Sequence, residues 1–222
     1  MKIRWTNCVL SVPPEREAQN IAKSRARGLP GLSWRPSRPP LAVVGGGPSV
    51  ADHVAELKAW PGDVWVSGSA FPWVKSLGID ATFFTIDQHP ILAENGFGAR
   101  RAILASCCDP EVFEMLSGAE VEVFDLVHGG PKANHWSTTV TAAPAIALEK
   151  GYTDVTFFGC DSSYRNSTHA YYDEPVIGML KVQCGEGSFL TNPGFLLQVE
   201  FLWQMISLFP TVFKMRGDGL LA

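Results

Sequence analysis

The sequence predicts an α/β fold: a mostly parallel, Rossmann-like sheet with helices on both faces, preceded by an N-terminal arm. Three observations predict it. Short apolar segments rich in Val, Ile and Phe recur along the chain and alternate with segments carrying helix signals, the pattern of a parallel sheet buried on both faces. Leu41-Ala-Val-Val-Gly45-Gly46-Gly47-Pro48-Ser49 runs from a buried-strand pattern straight into a glycine turn, the β–α junction at which such folds meet phosphorylated ligands. The chain's 222 residues, 46% apolar and 18% charged, suffice for one domain with a full core.

Residues 1–40 read as an arm outside the domain, which spans 41–222. Within the arm, 13–28 has the composition of a polar helix, and Gly28-Leu-Pro30-Gly31 with Arg35-Pro-Ser-Arg-Pro-Pro40 forms a Pro-rich linker. Arg25, Arg27, Arg35 and Arg38 could touch a phosphate; a solvated arm is the simpler expectation. From Leu41 the expected strands are 41–44, 63–67, 82–86, 102–105, 121–124, 155–158 and 211–215. The expected helices are 50–58, 71–77, 110–117, 138–150 and 193–208. Pro144 requires the fourth helix either to start near Thr141 or to bend. Asn192 and Pro193 supply an N-cap and a first helical residue for the last one. Its polar stripe is Glu200–Gln204–Ser207, and the rest is apolar, so core burial is expected, with a homo-oligomer contact as the other use of such a helix.

Bulk properties exclude several partners. A net charge of −4 gives no general attraction to nucleic acid or to an anionic membrane. No apolar run reaches spanning length, and polar residues interrupt the first fourteen positions, so neither a membrane span nor a secretory leader is expected. Five cysteines (Cys8, Cys107, Cys108, Cys160, Cys184) without C-x-x-C spacing fit reduced thiols in a cytoplasm and argue against zinc.

The glycine turn is informative about what it lacks. A dinucleotide fingerprint needs a third glycine where Val50 stands, and an acidic residue where the second strand ends in Val66-Ser67-Gly68. No Gly-Lys-Ser/Thr follows, so it is not a P-loop. The turn either cradles a phosphate through Gly45, Gly46, Gly47, Pro48 and Ser49 or only reverses the chain. A second constellation follows Asn134-His135-Trp136-Ser137. Ser137, Thr138 and Thr139 bring hydroxyls and free N–H groups to a helix start, which suits either an anion or plain capping. Asp161 and Asp87 each follow a buried strand at its carboxyl end, where open α/β sheets bind ligands. Two such carboxylates could hold Mg²⁺ on a polyphosphate, or each could cap its loop. His169, with Tyr164 and Tyr171 nearby, could act as acid/base or contact a phosphate, or be inert. His89, His128 and His135 carry less context. Arg100 and Arg101 are possible cations for a ligand, with surface charge the simpler expectation.

Taken together, Gly45-Gly-Gly-Pro-Ser49, Asp87, Thr138 with its Ala-rich helix, Gly151-Tyr-x-x-Val-x-Phe-Phe-Gly159-x-Asp161 and Thr168-His169-Ala170 resemble the 6-hydroxymethylpterin diphosphokinase MptE-like family, related to motility accessory factors. The Gly-rich stretch Val182 to Thr191 before the last helix extends the resemblance over about residues 41–215. More distantly, the frame resembles bacterial sialyltransferases that use CMP-sialic acid. It departs from them in lacking an Asn after the second strand, where Gly68 or Ser69 stands, and in having His169 where they carry a tyrosine. The first resemblance implies a transferase that moves a diphosphate from ATP to a pterin-like alcohol with Mg²⁺. Asp161, His169 and Tyr164 would be catalytic, and Asp87 and Asp161 would hold the metal. Gly45 to Ser49, Ser67, Thr138 and Thr139 would bind the nucleotide. The second implies a glycosyltransferase using a CMP-activated sugar, and a third reading is a non-catalytic member that binds a nucleotide or a protein partner.

Overall fold

A computed structural model of the chain describes residues 12–126, 138–165, 167–173 and 178–221. Seven strands form one sheet: β1 (Leu41–Val44), β2 (Asp63–Ser67), β3 (Thr82–Thr85), β4 (Arg101–Ala105), β5 (Glu120–Phe124), β6 (Val155–Phe158) and β9 (Phe213–Arg216). Their order is β5-β4-β3-β2-β1-β6-β9, and every pairing is parallel. The protein is therefore a Rossmann-like α/β fold flanked by helices. Every residue of β1, β3 and β6 is buried, as their apolar and β-branched, uncharged sequences require of central parallel strands. The chain winds outward from β1 to β5, then returns to place β6 on the other side of β1. That reversal opens a crevice beyond the carboxyl ends of β1 and β6.

The helices are α1 (Pro14–Ala26), α2 (Val54–Lys58), α3 (Phe71–Ser76), α4 (Pro110–Met115), α5 (Thr139–Glu149) and α6 (Pro193–Leu208). All seven expected strands and four of the five expected helices occur within a few residues at their ends, and the helix expected over 50–58 is an α-helix only in its second half. Three differences matter for the site. The segment after the glycine turn is not one α-helix: Pro48–His53 is a tighter 3₁₀ turn, and α2 is short. Helix α5 begins at Thr139 and carries Pro144 inside it; Thr138 caps it, exchanging side-chain and backbone hydrogen bonds with Thr141. The Gly-rich stretch before α6 is an antiparallel hairpin, β7 (Leu180–Cys184) with β8 (Gly187–Thr191), closed by Gly185 at φ 57.

Two expectations are corrected. Helix α6 is not a core helix: only Gln198 and Leu202 are buried, and Trp203 and Leu208 are 64% and 70% exposed. The polar stripe Glu200, Gln204 and Ser207 does face solvent. The described part of the arm is docked rather than solvated. Asn20 is buried and donates to the Cys107 carbonyl at 3.1 Å, and Arg16 pairs with Asp109 at 2.9 Å. Gly31 bridges to Val123, and the Val123 N–H donates to the Pro30 carbonyl at 2.9 Å, which covers the open edge of β5. Arg38 donates to the Lys150 carbonyl at 3.0 Å and lies over the Tyr152 ring. No described helix is long and apolar enough to cross a membrane.

Candidate functional site

A cleft of about 440 Å³ opens at the carboxyl ends of β1, β2, β3 and β6. Of the residues the sequence singled out, Gly45, Gly46, Gly47, Ser67, Asp87, Thr138, Thr139, Asp161 and His169 all line it. Separations of up to 124 positions in sequence thus close into one site. A larger groove of about 1020 Å³ between 90–96 and 111–117 is lined by Glu94, Glu111 and Glu114 and holds none of these residues.

The glycines are needed first for packing. A Cβ on Gly45 would lie 2.5 Å from the Gly159 carbonyl oxygen, and one on Gly47 would lie 2.6 Å from the same oxygen and 2.7 Å from Asp161 Oδ2. Gly159 itself has φ 61 and would place a Cβ 2.7 Å from Val50. The turns after β1 and β6 therefore interlock backbone to backbone, which admits no side chain at these positions. The N–H groups of the turn are largely used in the same interlock. Gly45 donates to the Phe158 carbonyl and Gly47 to the Gly159 carbonyl, both at 2.8 Å. Ser49 donates its N–H to Asp161 Oδ2 at 2.8 Å and its hydroxyl to Asp161 Oδ1. Pro48 has no N–H, and both Pro48 and Ser49 are buried outside the cleft. The expected phosphate cradle is thus reduced to Gly46, which lies beneath Tyr171 and His169.

Asp161 is the anchor of this interlock. It is 4% exposed. Burial pushes its carboxyl up, the two Ser49 bonds pull it back, and the balance leaves it above the ordinary carboxylate value. The C-terminal segment closes over it: the Leu220 N–H donates to the Asp161 carbonyl at 2.9 Å, and a Cβ on Gly217 (φ 126) would lie 2.5 Å from Ser49 Oγ. Arg165 ties the same region together through Asp52 at 2.7 Å and through Asp218.

Asp87 is placed differently. Its Oδ2 accepts from Thr85 Oγ1 at 2.8 Å, and its other oxygen has no hydrogen-bond partner among the described residues. Burial pushes its carboxyl up; the Thr85 bond and nearby His89 offset this in part. Such a dehydrated, half-partnered carboxylate at a cleft wall gains from a cation or a hydroxyl donor. Asp87 therefore fits a divalent ion on a polyphosphate, whereas both oxygens of Asp161 are committed to Ser49. Among the described residues no group of three or more His, Cys, Asp or Glu is placed to hold a metal by protein ligands alone.

At the start of α5 the Thr138 hydroxyl caps the helix and donates to Gln198 Oε1 at 2.7 Å. Thr139 is 9% exposed, lines the cleft, and its hydroxyl has no partner among the described residues. With the orphan N–H groups of the first turn, it gives the cleft an electropositive, donor-rich end. His169 stacks on Tyr172 at 4.3 Å, and its Nδ1 lies 3.2 Å from Thr168 Oγ1. Its loop is pinned over the glycine turn by the Ala170 N–H, which donates to the Gly46 carbonyl at 3.1 Å.

Tyr164 is not brought into the cleft: its hydroxyl accepts from Asn192 Nδ2 at 2.6 Å, and its ring packs on Phe195. Arg100 and Arg101 pair with Asp80 at the surface, 2.8 and 3.0 Å away. Ser137, His128 and His135 lie outside the described residues. Sequence reasoning missed Ser69, Ser162, Ser163, Phe195 and Gln198, which complete the wall. The signal for Gln198 was a single amide on the otherwise apolar side of α6.

No family model matches the chain, and no curated protein and no solved structure is significantly similar to it.

Proposed function

We propose that this protein is a nucleotide-dependent transferase that works in the cleft beyond β1 and β6. The observation that carries the reading is the gathering, at the sheet's reversal point, of Gly46, the donor-rich start of α5 with its unpartnered Thr139 hydroxyl, and the half-partnered carboxylate of Asp87. A nucleoside triphosphate directs its phosphates toward Thr139 and the first N–H groups of α5. The described lining contains no lysine or arginine, so the phosphate charge is met by that helix start and by Mg²⁺ held on Asp87. Mg²⁺ supplies charge neutralisation on the phosphates, which is most of what phosphoryl-type transfer requires.

The reaction follows the resemblance to the MptE-like diphosphokinases. The oxygen of a pterin-like alcohol bonds to the β-phosphorus of ATP, the bond from that phosphorus to the α–β bridging oxygen breaks, and AMP leaves. His169 lines the cleft and accepts the proton that the alcohol gives up. Asp161 holds the turn after β1 against the end of β6 and so keeps Gly46 in place. The hydroxyl-rich wall of Ser67, Ser69 and Ser163 supports a second reading, transfer from a CMP-activated sugar, in which no metal is needed.

A thermal-shift panel of ATP, GTP, CTP, CMP and CMP-sialic acid, with and without Mg²⁺, separates these. A ligand at 100 times its Kd adds about 2.7 kcal/mol of stability. A Mg²⁺-dependent response to ATP or GTP is the expected result. A metal-independent CMP response supports the sugar transferase instead, and silence across the panel overturns both.

A further inference from the structure

Gln198 is 4% exposed and, with Leu202 one turn later, is one of the two buried residues of α6. Both ends of its amide are used. Oε1 accepts from Thr138 Oγ1 at 2.7 Å, and Nε2 donates to Ser162 Oγ at 2.9 Å. Thr138 caps α5 and so sets the helix start that presents Thr139 to the cleft. Ser162 has φ 53, the left-handed region that side chains other than glycine avoid, and its carbonyl is held by Thr191 Oγ1 at 2.7 Å. One neutral side chain thus fixes two walls of the cleft, the start of α5 and the turn after β6.

We propose that Gln198 is a positioning residue for an anionic ligand at the α5 N-terminus, and that its lack of charge is a requirement of the site. This rests on the reading that phosphates lie there. Beside that helix start Thr139, itself 9% exposed, turns into the cleft a hydroxyl that has no partner among the described residues. A glutamate at 198 fills the same space and accepts hydrogen bonds from both Thr138 and Ser162, whose hydroxyls rotate freely. It differs by a negative charge one hydroxyl away from the anion. A leucine removes both bonds and adds no charge.

The test is calorimetric titration of the full chain with inorganic pyrophosphate and with ATP, each with Mg²⁺, at pH 8, for wild type, Gln198→Glu and Gln198→Leu, beside their melting temperatures. Gln198→Glu stays folded but melts somewhat below wild type, because the cost of burying its charge exceeds the gain of a carboxylate beside a helix start. At a temperature well below that melt it binds both probes at least about tenfold more weakly through charge repulsion in a partly dehydrated site. Gln198→Leu melts lower and also binds more weakly. A Gln198→Glu variant that binds pyrophosphate and ATP as wild type does overturns the inference, leaving Gln198 a scaffold residue. Wild-type protein that binds neither probe overturns the anion reading itself and this inference with it, a result distinct from the first.

Discussion

Asp161→Ala breaks the interlock between the turns after β1 and β6. The carboxylate accepts two hydrogen bonds from Ser49, whose relative exposure is 0%. Its removal leaves the Ser49 N–H and hydroxyl without acceptors in a dry environment, at roughly 1–3 kcal/mol for each orphaned group. The expected loss of unfolding free energy is thus about 2–6 kcal/mol, and at roughly 2–4 °C per kcal/mol the melting temperature falls by on the order of 10 °C. Asp161→Asn behaves differently. Its amide oxygen accepts from the Ser49 N–H and its NH₂ donates to Ser49 Oγ. It also sheds the charge whose burial pushes the native carboxyl up. A loss of about 1 kcal/mol or less is expected for it, since both bonds survive in neutral form. Urea denaturation followed by tryptophan fluorescence measures both variants. If Asp161→Ala is as stable as wild type, or Asp161→Asn is as damaging as Asp161→Ala, the account of Asp161 as the anchor of the turn is refuted.

Further predictions follow from the same geometry. Gly47→Ala places its Cβ against the Gly159 carbonyl and the Asp161 carboxylate, so it destabilises by about 1–3 kcal/mol of overpacking in a urea titration, whereas Gly78→Ala, open on all sides, costs only the strain of its φ of 78. Burial pushes the Glu122 carboxyl up, but the hydrogen bonds from Lys150 and Ser33 and the charge of Lys150 outweigh it and hold the group below its ordinary value of 4.5. Its stabilisation is therefore full above pH 4.5 and lost as pH falls through the lowered value, so wild type and Glu122→Gln differ in unfolding free energy at pH 7 and converge in acid. Of the four described cysteines, Cys184 alone reacts quickly with a thiol reagent in the native protein. Cys107, its thiol pushed up to about 11 by burial, and the buried Cys108 and Cys160 react only on unfolding, which timed labelling with mass spectrometry reads directly.

The sheet was legible because buried parallel strands write themselves as short runs of apolar and β-branched residues without charges, and Leu41–Val44, Thr82–Thr85 and Val155–Phe158 are such runs. Their carboxyl ends pointed to Asp87, Asp161 and the glycine turn, and the cleft forms there. What the sequence hid was the destination of hydrogen bonds. A glycine turn that presents its N–H groups to a phosphate and one that spends them on a neighbouring turn have the same composition. Only the register of β1 against β6 brings the Gly159 carbonyl and Asp161 onto Gly45, Gly47 and Ser49. The β7–β8 hairpin was missed although Leu180-Lys-Val-Gln-Cys184 alternates apolar and polar residues; β8 does not alternate, and most side chains of both strands are exposed or half-buried, so no long apolar run marks them. Helix α6 misled through the converse: an apolar sequence promises burial, but the fold offers it only the side that carries Gln198 and Leu202. The arm was read as solvated because its charges are dense, yet Asn20, Ser24 and the backbone at Gly31 are what dock it.

The central claim is that the cleft beyond β1 and β6 binds a nucleoside triphosphate with Mg²⁺ on Asp87. Calorimetric titration of ATP into wild type and Asp87→Asn, with Mg²⁺ and with excess chelator, tests it most directly. Asparagine keeps an acceptor for Thr85 Oγ1, so the fold is preserved while the charge that would hold the ion is gone. The account predicts Mg²⁺-dependent binding to wild type and at least about a tenfold weaker affinity in Asp87→Asn, the usual scale for losing a metal-supporting group. No binding of ATP to wild type, or binding that is the same in both proteins, would contradict it.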